Sequence, residues 1–194
     1  MKILIATRNP DKLREIKEIA GPGFELVSLL DFSEKIDIHE TGETAEENAL
    51  IKAREGYRIS GIPTLADDTV LEVYALEGRP GVHSARYSGG GYKDNVRKLL
   101  QEMKGVKDRR ARFRTVVALV NGEEERLFEG VLEGEIIEEE RGTYGFGYDP
   151  VFRPLGMDKT LAELLPEEKN RISHRFLAFS KAFEYLRRGV AQPG

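Results

Sequence analysis

The feature that most constrains the fold is a stretch of alternating residues in the second half of the chain. Every second position between 111 and 119 predicts one face of a β-strand: Ala111, Phe113, Thr115, Val117 and Leu119. Asn121-Gly122 follows directly, and Asn-Gly is typical of a hairpin turn. We therefore predict an antiparallel pair whose return strand runs through Phe128 and Ile136.

The first twenty residues predict a different unit, in which a strand is followed by a polar loop and a helix. Lys2–Ala6 is typical of a buried strand, and Leu13, Ile16 and Ala20 recur at the spacing of one helical face. Further helices are predicted over residues 44–60, 92–103 and from Ser173 onward, with residues 189–194 as a loose tail. Because helices and strands mix along the chain, we predict an α/β fold with an elongated mixed β-sheet flanked by helices.

Composition excludes several classes of protein and site. The chain of 194 residues suffices for one domain, predicted over residues 1–194, and its net charge of −4 offers no broad surface for nucleic acid. Without cysteine it has no disulfide, thiolate nucleophile or zinc–thiolate site. The N-terminus lacks a signal-peptide segment, and no apolar run approaches the roughly 20 residues of a membrane-spanning helix. We therefore expect a cytoplasmic protein with no nucleic-acid or membrane partner.

Two adjacent carboxylates, Asp67 and Asp68, follow the apolar residues Leu65 and Ala66. We expect them at the end of a buried strand, where a carboxylate is costly unless it binds a metal or accepts hydrogen bonds. The structural alternative is that they cap an element or pair with surface cations. Their position after an apolar strand favours a functional site.

The loop between the first strand and the first helix is a second candidate site: Thr7, Arg8, Asn9, Pro10, Asp11 and Lys12. Backbone N–H groups at the start of a helix and the Lys12 ammonium can bind phosphate, with Thr7 and Asn9 as hydrogen-bond partners. The alternative is an ordinary turn in which Asn9-Pro10 initiates the helix. The sequence leaves both interpretations open.

Acidic and glycine-rich segments supply further candidates. Four glutamates precede or open the second helix, and most of them are expected to be solvated, with one as a metal ligand: Glu40, Glu43, Glu46 and Glu47. The glycines of segment 142–150 allow left-handed backbone conformations and close approach to a ligand. Phe146 in that segment either packs into the core or offers its ring to a purine.

The histidines, and Arg175 beside one of them, have an alternative interpretation as ordinary solvated residues. His174 and Arg175, at the start of the last helix, are either solvated or functional, and His39 and His83 are expected to be solvated.

Six motifs in order resemble the inosine triphosphate pyrophosphatase family across nearly the whole chain. They are Thr7-x-Asn9-x-x-Lys12; Gly42-Glu43-Thr44 with Glu47-Asn48-Ala49 and Lys52-Ala53; Ala66-Asp67-Asp68-Thr69; Arg79-Pro80-Gly81-Val82 with Ser84-Ala85-Arg86-Tyr87; Arg141-Gly142-Thr143 with Gly145 to Pro150; and Glu168-Lys169 with Ser173-His174-Arg175. The resemblance implies that family's fold, two lobes with a central substrate cleft, and a homodimer. It also implies hydrolysis of ITP, dITP and XTP to the monophosphate and pyrophosphate.

The resemblance also implies roles for individual residues. Thr7 to Lys12 would hold the triphosphate, Asp68 would accept a proton and bind magnesium, and Glu40 would be a second metal ligand. Thr69 would contact the substrate. Seven residues would surround the base and nearby groups: Phe146, Gly147, Tyr148, Asp149, Lys169, His174 and Arg175.

The expected chemistry is consistent with these residue types. Mg²⁺ usually keeps waters, so one or two carboxylates and phosphate oxygens suffice to bind it. Arg175, with Lys169 or His174 as alternatives, is expected to donate to the 6-keto oxygen that inosine and xanthosine carry in place of the amino group of adenosine. Two alternatives remain, a pyrophosphatase for other modified nucleotides and a nucleotide-sensing module without turnover. The presence of Asp67-Asp68 and Lys12 argues against the second.

Overall fold

The computed structural model describes residues 1–32 and 36–191, which divide into two compact units. The first unit comprises Met1–Asp68, Thr115–Gly130 and Arg175–Gly194, and the second comprises Thr69–Arg114 and Val131–His174. Each unit has a separate cluster of buried apolar side chains.

Seven strands of the described residues form one mixed sheet. They are β1 (Lys2–Ile5), β2 (Glu25–Ser28), β3 (Thr64–Val73), β4 (Pro80–Gly81), β5 (Arg110–Val120), β6 (Glu125–Ile136) and β7 (Phe152–Pro154). The strand order is β2-β1-β3-β5-β6-β7, and β4 pairs with β3. Strand β1 is parallel to β2 and β3, whereas the β3–β4 and β6–β7 pairs are antiparallel. The predicted mixed sheet is confirmed.

Five α-helices accompany the sheet in the described ranges: α1 (Pro10–Ala20), α2 (Ala45–Ser60), α3 (Tyr92–Glu102), α4 (Pro166–Ile172) and α5 (His174–Ala191). Four of them lie where the sequence predicts helices. Helix α4 was missed because its 7 residues are too few to show a periodic apolar stripe. Helix α5 includes residues 189–191, so the predicted loose tail is wrong there, and residues 192–194 lie outside the described part. None of the described helices is long and apolar enough to cross a membrane.

The predicted turn at Asn121-Gly122 connects β5 to β6. The Asn121 Oδ1 accepts hydrogen bonds from the backbone N–H groups of Glu123 and Glu124, both at 3.0 Å. Gly122 has a φ of +87°, a left-handed conformation that a residue with a Cβ rarely adopts. The Asn-Gly signal therefore marks this turn for a local stereochemical reason.

The core of the first unit is built largely on helix α5. Its buried residues follow a spacing of three and four: Ala178, Phe179, Ala182, Phe183 and Leu186. They pack with Ile3, Ile5 and Ile16 of β1 and α1. Leu177 lies off this stripe and is 38% exposed.

The acidic pair lies within β3, not at its end as predicted. Strand β3 pairs in parallel with β1 at Thr64 and Leu65, and antiparallel with β4 at Leu71 and Glu72. The two carboxylates fall between these pairings, just past the end of β1. Residues 71–73 therefore continue the same strand past the acidic pair.

Candidate functional site

Five charged residues of the first unit form what we term the acid–lysine cluster: Lys12, Glu40, Lys52, Asp67 and Asp68. The Lys12 Nζ lies 3.5 Å from Asp67 Oδ2, and the Lys52 Nζ lies 2.9 Å from Glu40 Oε1. Asp67 and Asp68 are only 3% and 6% exposed. Removing charges from water is costly, so a buried cluster of this kind marks a candidate site for chemistry or binding.

Helix α2 positions two of the side chains around Asp68. Its buried face carries mostly alanine and glycine, so Asn48 and Lys52, four residues apart, reach inward from it. The Asn48 Nδ2 donates to Asp68 Oδ2 at 3.3 Å, and the Asn48 Oδ1 accepts from the Gly42 N–H at 2.8 Å. Sequence reasoning did not select Lys52 as a site residue. The available signal was a lysine on the same helical face as Ala45, Ala49 and Ala53.

The electrostatic environment gives Asp68 an unusual protonation equilibrium. Burial, with a smaller contribution from the charge of Glu40, raises the pKa of Asp68 from 3.8 to about 6. Lys52, Lys12 and the Asn48 hydrogen bond oppose this shift. A carboxylate with such a pKa can accept a proton close to neutral pH.

The two lysines respond differently to the same surroundings. Burial lowers the pKa of Lys12 below its ordinary value, and attraction to Asp67 compensates only partly. Burial would also lower the pKa of Lys52, but Asp67, Glu40 and Asp68 together outweigh it and raise that pKa. Lys52 is therefore firmly cationic at neutral pH and holds positive charge beside the carboxylates.

The first loop is a helix cap as well as a candidate binding loop. The Asn9 Oδ1 accepts from the N–H groups of Asp11 at 2.9 Å and Lys12 at 3.3 Å, and the Asn9 N–H donates to Thr7 Oγ1 at 3.0 Å. The predicted turn that initiates the helix is thus confirmed. These three N–H groups are engaged within the loop, and phosphate binding by the loop stays a prediction. Phosphate binding here would depend on side-chain charge.

A cavity of about 200 Å³ opens beside this loop within the first unit. Its charged lining consists of three cationic side chains, those of Arg8, Lys12 and Lys52, and two acidic ones, those of Asp37 and Glu40. The cationic lining and the buried carboxylates adjoining it suit a ligand that carries negative charge and an associated cation.

Arg175 belongs to the first unit, whereas its neighbour His174 belongs to the second. The Arg175 Nη1 lies 2.5 Å from Glu15 Oε2, and its Nε lies 4.0 Å from Asp67 Oδ2. The residue is 3% exposed, so the solvated alternative is wrong. Its guanidinium contacts Glu15 and Asp67, the second of which belongs to the acid–lysine cluster.

The donor set for a metal is small. In residues 1–32 and 36–191, no group of three or more His, Asp or Glu side chains is placed to hold a metal ion. The two predicted ligands, Glu40 and Asp68, do interact, because the charge of Glu40 raises the pKa of Asp68. A divalent cation would relieve this repulsion. Two carboxylates fit Mg²⁺, which usually keeps several waters and substrate oxygens as its other ligands.

A second cluster, in the second unit, surrounds the ring of Phe146. The buried Lys169 Nζ lies 2.8 Å from Asp149 Oδ2 and 4.9 Å from the centroid of the Phe146 ring. The same carboxylate accepts from the Phe146 N–H at 3.1 Å. A Cβ on Gly145, whose φ is +72°, would lie only 2.2 Å from Asp149 Oδ2. The glycine is therefore required for this loop to close on Asp149.

Tyr148 connects the same loop to the segment around Ser84. It is buried, and its hydroxyl donates to the Ser84 carbonyl oxygen at 2.7 Å. Ser84 is itself fixed, since its Oγ donates to the Gly81 carbonyl and accepts from the Leu71 N–H. Burial raises the pKa of Tyr148, which stays a neutral donor. The segment around Ser84 thus holds the glycine-rich loop in place through Tyr148.

The remaining predicted residues lie in different surroundings. His174 is 3% exposed and its ring stacks on Phe113 with centroids 4.6 Å apart, so its solvated alternative is wrong. His39 and His83 are exposed as expected. Thr69 is half-buried, and Gly147 has a φ of +63°.

Comparison with known proteins identifies the family. The sequence profile of the Ham1 family matches residues 3–185. The chain is 50% identical over 188 residues to the dITP/XTP pyrophosphatase of Christiangramia forsetii, covering 96% of this chain and 99% of that protein. It is 52% identical over 192 residues to the protein of the same name from Thermoanaerobacter pseudethanolicus, covering 96% of each.

Solved structures agree with these sequence matches. The Ham1 protein of Staphylococcus aureus superimposes with a TM-score of 0.88 at 37% identity, covering 97% of this chain and 100% of that chain. A nucleoside-triphosphatase, dITP/XTP pyrophosphatase, from Mycobacterium abscessus gives 0.75 at 45% identity, covering 96% and 98%. The six motifs indicated this relationship correctly, and the chain belongs to the Ham1 family.

Proposed function

We propose that this protein is a nucleoside triphosphate pyrophosphatase that hydrolyses the non-standard purine nucleotides ITP, dITP and XTP to the monophosphate and pyrophosphate. Relatives with about half of their residues identical carry the name dITP/XTP pyrophosphatase. The observation that carries the proposal is the acid–lysine cluster, where a buried carboxylate of raised pKa lies among cations. Such a cluster suits proton transfer beside a polyanionic substrate.

The proposed reaction breaks the bond between the α-phosphorus and the oxygen that bridges to the β-phosphorus. A water oxygen forms the new bond to the α-phosphorus, and Asp68 accepts the proton of that water. Lys12 and Lys52 neutralise the charge that develops on the departing pyrophosphate. Asp67, which faces Lys12 and Arg175, positions these cations.

We propose Mg²⁺ as the metal, held by Asp68 and Glu40. When bound, the ion neutralises phosphate charge and lowers the pKa of coordinated water. Lys52 pairs with Glu40 at 2.9 Å and so holds that carboxylate toward the cluster.

For the base, we propose that the purine packs against Phe146 in the second unit, near Lys169 and His174. Phe146 is half-buried, so part of its ring is accessible, and the Asp149–Lys169 pair fixes its backbone and surroundings. Thr69 contacts the substrate, and Gly147 allows the loop to approach it closely. A homodimer and a cytoplasmic location are proposed from the family resemblance and the nature of the substrate.

Pyrophosphate release from a panel of nucleotides tests this function. We expect ITP, dITP and XTP to yield one pyrophosphate per monophosphate, much faster than ATP, and only with Mg²⁺ present. Faster turnover of modified pyrimidine triphosphates would instead indicate a pyrophosphatase for other modified nucleotides. Tight nucleotide binding without pyrophosphate release would instead identify a nucleotide-sensing module.

Replacing Lys12 with alanine separates phosphate from base recognition. Because Lys12 lines the cationic cavity, the change should lower kcat/KM at least about tenfold for ITP and ATP alike. The ITP:ATP ratio should hardly change. The matched control is Lys17→Ala, which removes an exposed lysine from the same helix. A collapse of the ITP:ATP ratio in Lys12→Ala would place Lys12 at the base.

A further inference from the structure

A second aromatic ring lies beside Phe146. Tyr92, the first residue of α3, has its ring centroid 5.8 Å from that of Phe146, with 35° between the ring planes. Tyr92 remains 42% exposed in this position. Aromatic pairs at 4.5–7 Å attract each other, so the two rings pack together at a position where Tyr92 is partly exposed to solvent.

The turn before Tyr92 is built for its position. Gly89 has a φ of +82°, a left-handed backbone conformation that a residue with a Cβ rarely adopts. The buried Asn95 fixes the turn, since its Oδ1 accepts from the Ser88 N–H at 2.9 Å and from the Ser88 Oγ at 2.7 Å. The hydrogen bonds of this turn therefore fix the backbone that places the Tyr92 ring next to Phe146.

A folding role accounts poorly for this arrangement. Side chains stabilise a fold by the apolar area that they remove from water, and Tyr92 leaves 42% of its surface in water. By contrast, every nucleobase presents a flat face that stacks on exposed aromatic rings. The nearby Lys169 ammonium, 4.9 Å from the Phe146 centroid, adds a hydrogen-bond donor for polar base atoms beside the same surface.

We propose that Tyr92 is a specificity-determining residue that, together with Phe146, forms a two-ring stacking platform for the purine. The inference depends on the proposed function, which places the purine at Phe146. Two fused rings cover more of a two-ring platform than the single ring of a pyrimidine does. Tyr92 therefore favours purine over pyrimidine nucleotides.

The test compares Tyr92→Ala with Tyr92→Phe in steady-state assays with ITP. We expect Tyr92→Ala to raise KM about fivefold or more, with kcat within about twofold, because base–aromatic stacking contributes to binding and not to the chemical step. Tyr92→Phe, which keeps the ring, should retain the original KM. Inhibition by inorganic tripolyphosphate, which has no base, should be unchanged in both variants.

Tyr74→Ala is the matched control, since Tyr74 is a tyrosine of the same unit with 38% of its surface exposed and its hydroxyl bonded to Glu133. It should leave KM for ITP unchanged. An unchanged or lower KM in Tyr92→Ala, or equal losses in Tyr92→Ala and Tyr92→Phe, would overturn the platform. Calorimetric binding of inosine monophosphate, which needs no turnover, tests the platform even if the wild-type protein fails to hydrolyse ITP. Such failure would count against the proposed function alone.

Discussion

Replacing Asp68 with asparagine will lower turnover of ITP by at least about 10²-fold and at the same time stabilise the free protein. The amide keeps the shape of the side chain and can still accept the Asn48 hydrogen bond, which is 3.3 Å long. It cannot accept a proton from water, and it is a poor metal ligand. General-base and metal contributions each reach two orders of magnitude or more.

The gain in stability follows from the sign of the pKa shift. Folding raises the pKa of Asp68 from 3.8 to about 6, so the folded protein binds the proton more tightly than the unfolded chain does. The ionised carboxylate thus opposes folding, with an effect that is absent below pH 3.8 and complete above pH 6. This effect is about 3 kcal/mol at neutral pH, and Asp68→Asn removes it. Its Tm, measured without metal, should exceed that of the wild type at pH 7.5 and approach it at low pH.

The adjacent carboxylate provides the matched control. Asp67 faces Lys12 at 3.5 Å and Arg175 at 4.0 Å, so Asp67→Asn removes a negative charge that attracts both cations and should lower the Tm. The two isosteric variants should therefore change stability in opposite directions. The wild-type kcat/KM should also fall as the pH drops through about 6, where Asp68 becomes protonated. Near-normal turnover in Asp68→Asn at saturating Mg²⁺ would remove Asp68 from the mechanism.

The parts of the fold that follow from local rules were predictable from the sequence. The Asn121-Gly122 turn reflects local stereochemistry, and the first half of β5 alternates in burial with a period of two, and both signals are visible in a short window. Residues 116–120 are all buried. Helix α4 and the continuity of β3 were not visible. The first is too short for a stripe, and the second depends on pairing with β1 and β4 at its two ends.

The sequence predicted most of the charged residues that form the site but not which residues they contact. The acidic pair and Lys12 were identified as charges in unusual places, and both are buried or half-buried. Lys52 was not selected because the alanines on its helical face indicate that it is buried but not what it contacts, and its pair with Glu40 is evident only from the structure. Likewise, no sequence pattern indicates that Arg175 meets Glu15, which is 160 residues away along the chain.

Arg175→Ala should therefore destabilise the protein and lower kcat/KM for all triphosphates to a similar extent. The sequence suggested that this guanidinium donates to the 6-keto oxygen, which predicts an ITP:ATP ratio reduced about tenfold in the variant. In the structure its Nη1 lies 2.5 Å from Glu15 and its Nε 4.0 Å from Asp67, and the residue is 3% exposed. Removing one member of a buried ion pair leaves the other charge uncompensated and costs about 3–5 kcal/mol.

Arg175→Ala also removes one ion-pair partner of Asp67. Because Asp67 pairs with Lys12 as well, a shift of Asp67 should misplace Lys12. We expect similar losses of kcat/KM for ITP, XTP and ATP, and a lower midpoint in urea unfolding. Arg14→Ala is the control, because Arg14 lies on the surface with its side chain 69% exposed and contacts Asp11 at 3.4 Å. It should change neither quantity. If folded Arg175→Ala lost ITP and XTP activity tenfold more than ATP activity, then Arg175 would recognise the base after all, and its contacts with Glu15 and Asp67 would have to exchange for substrate during the reaction.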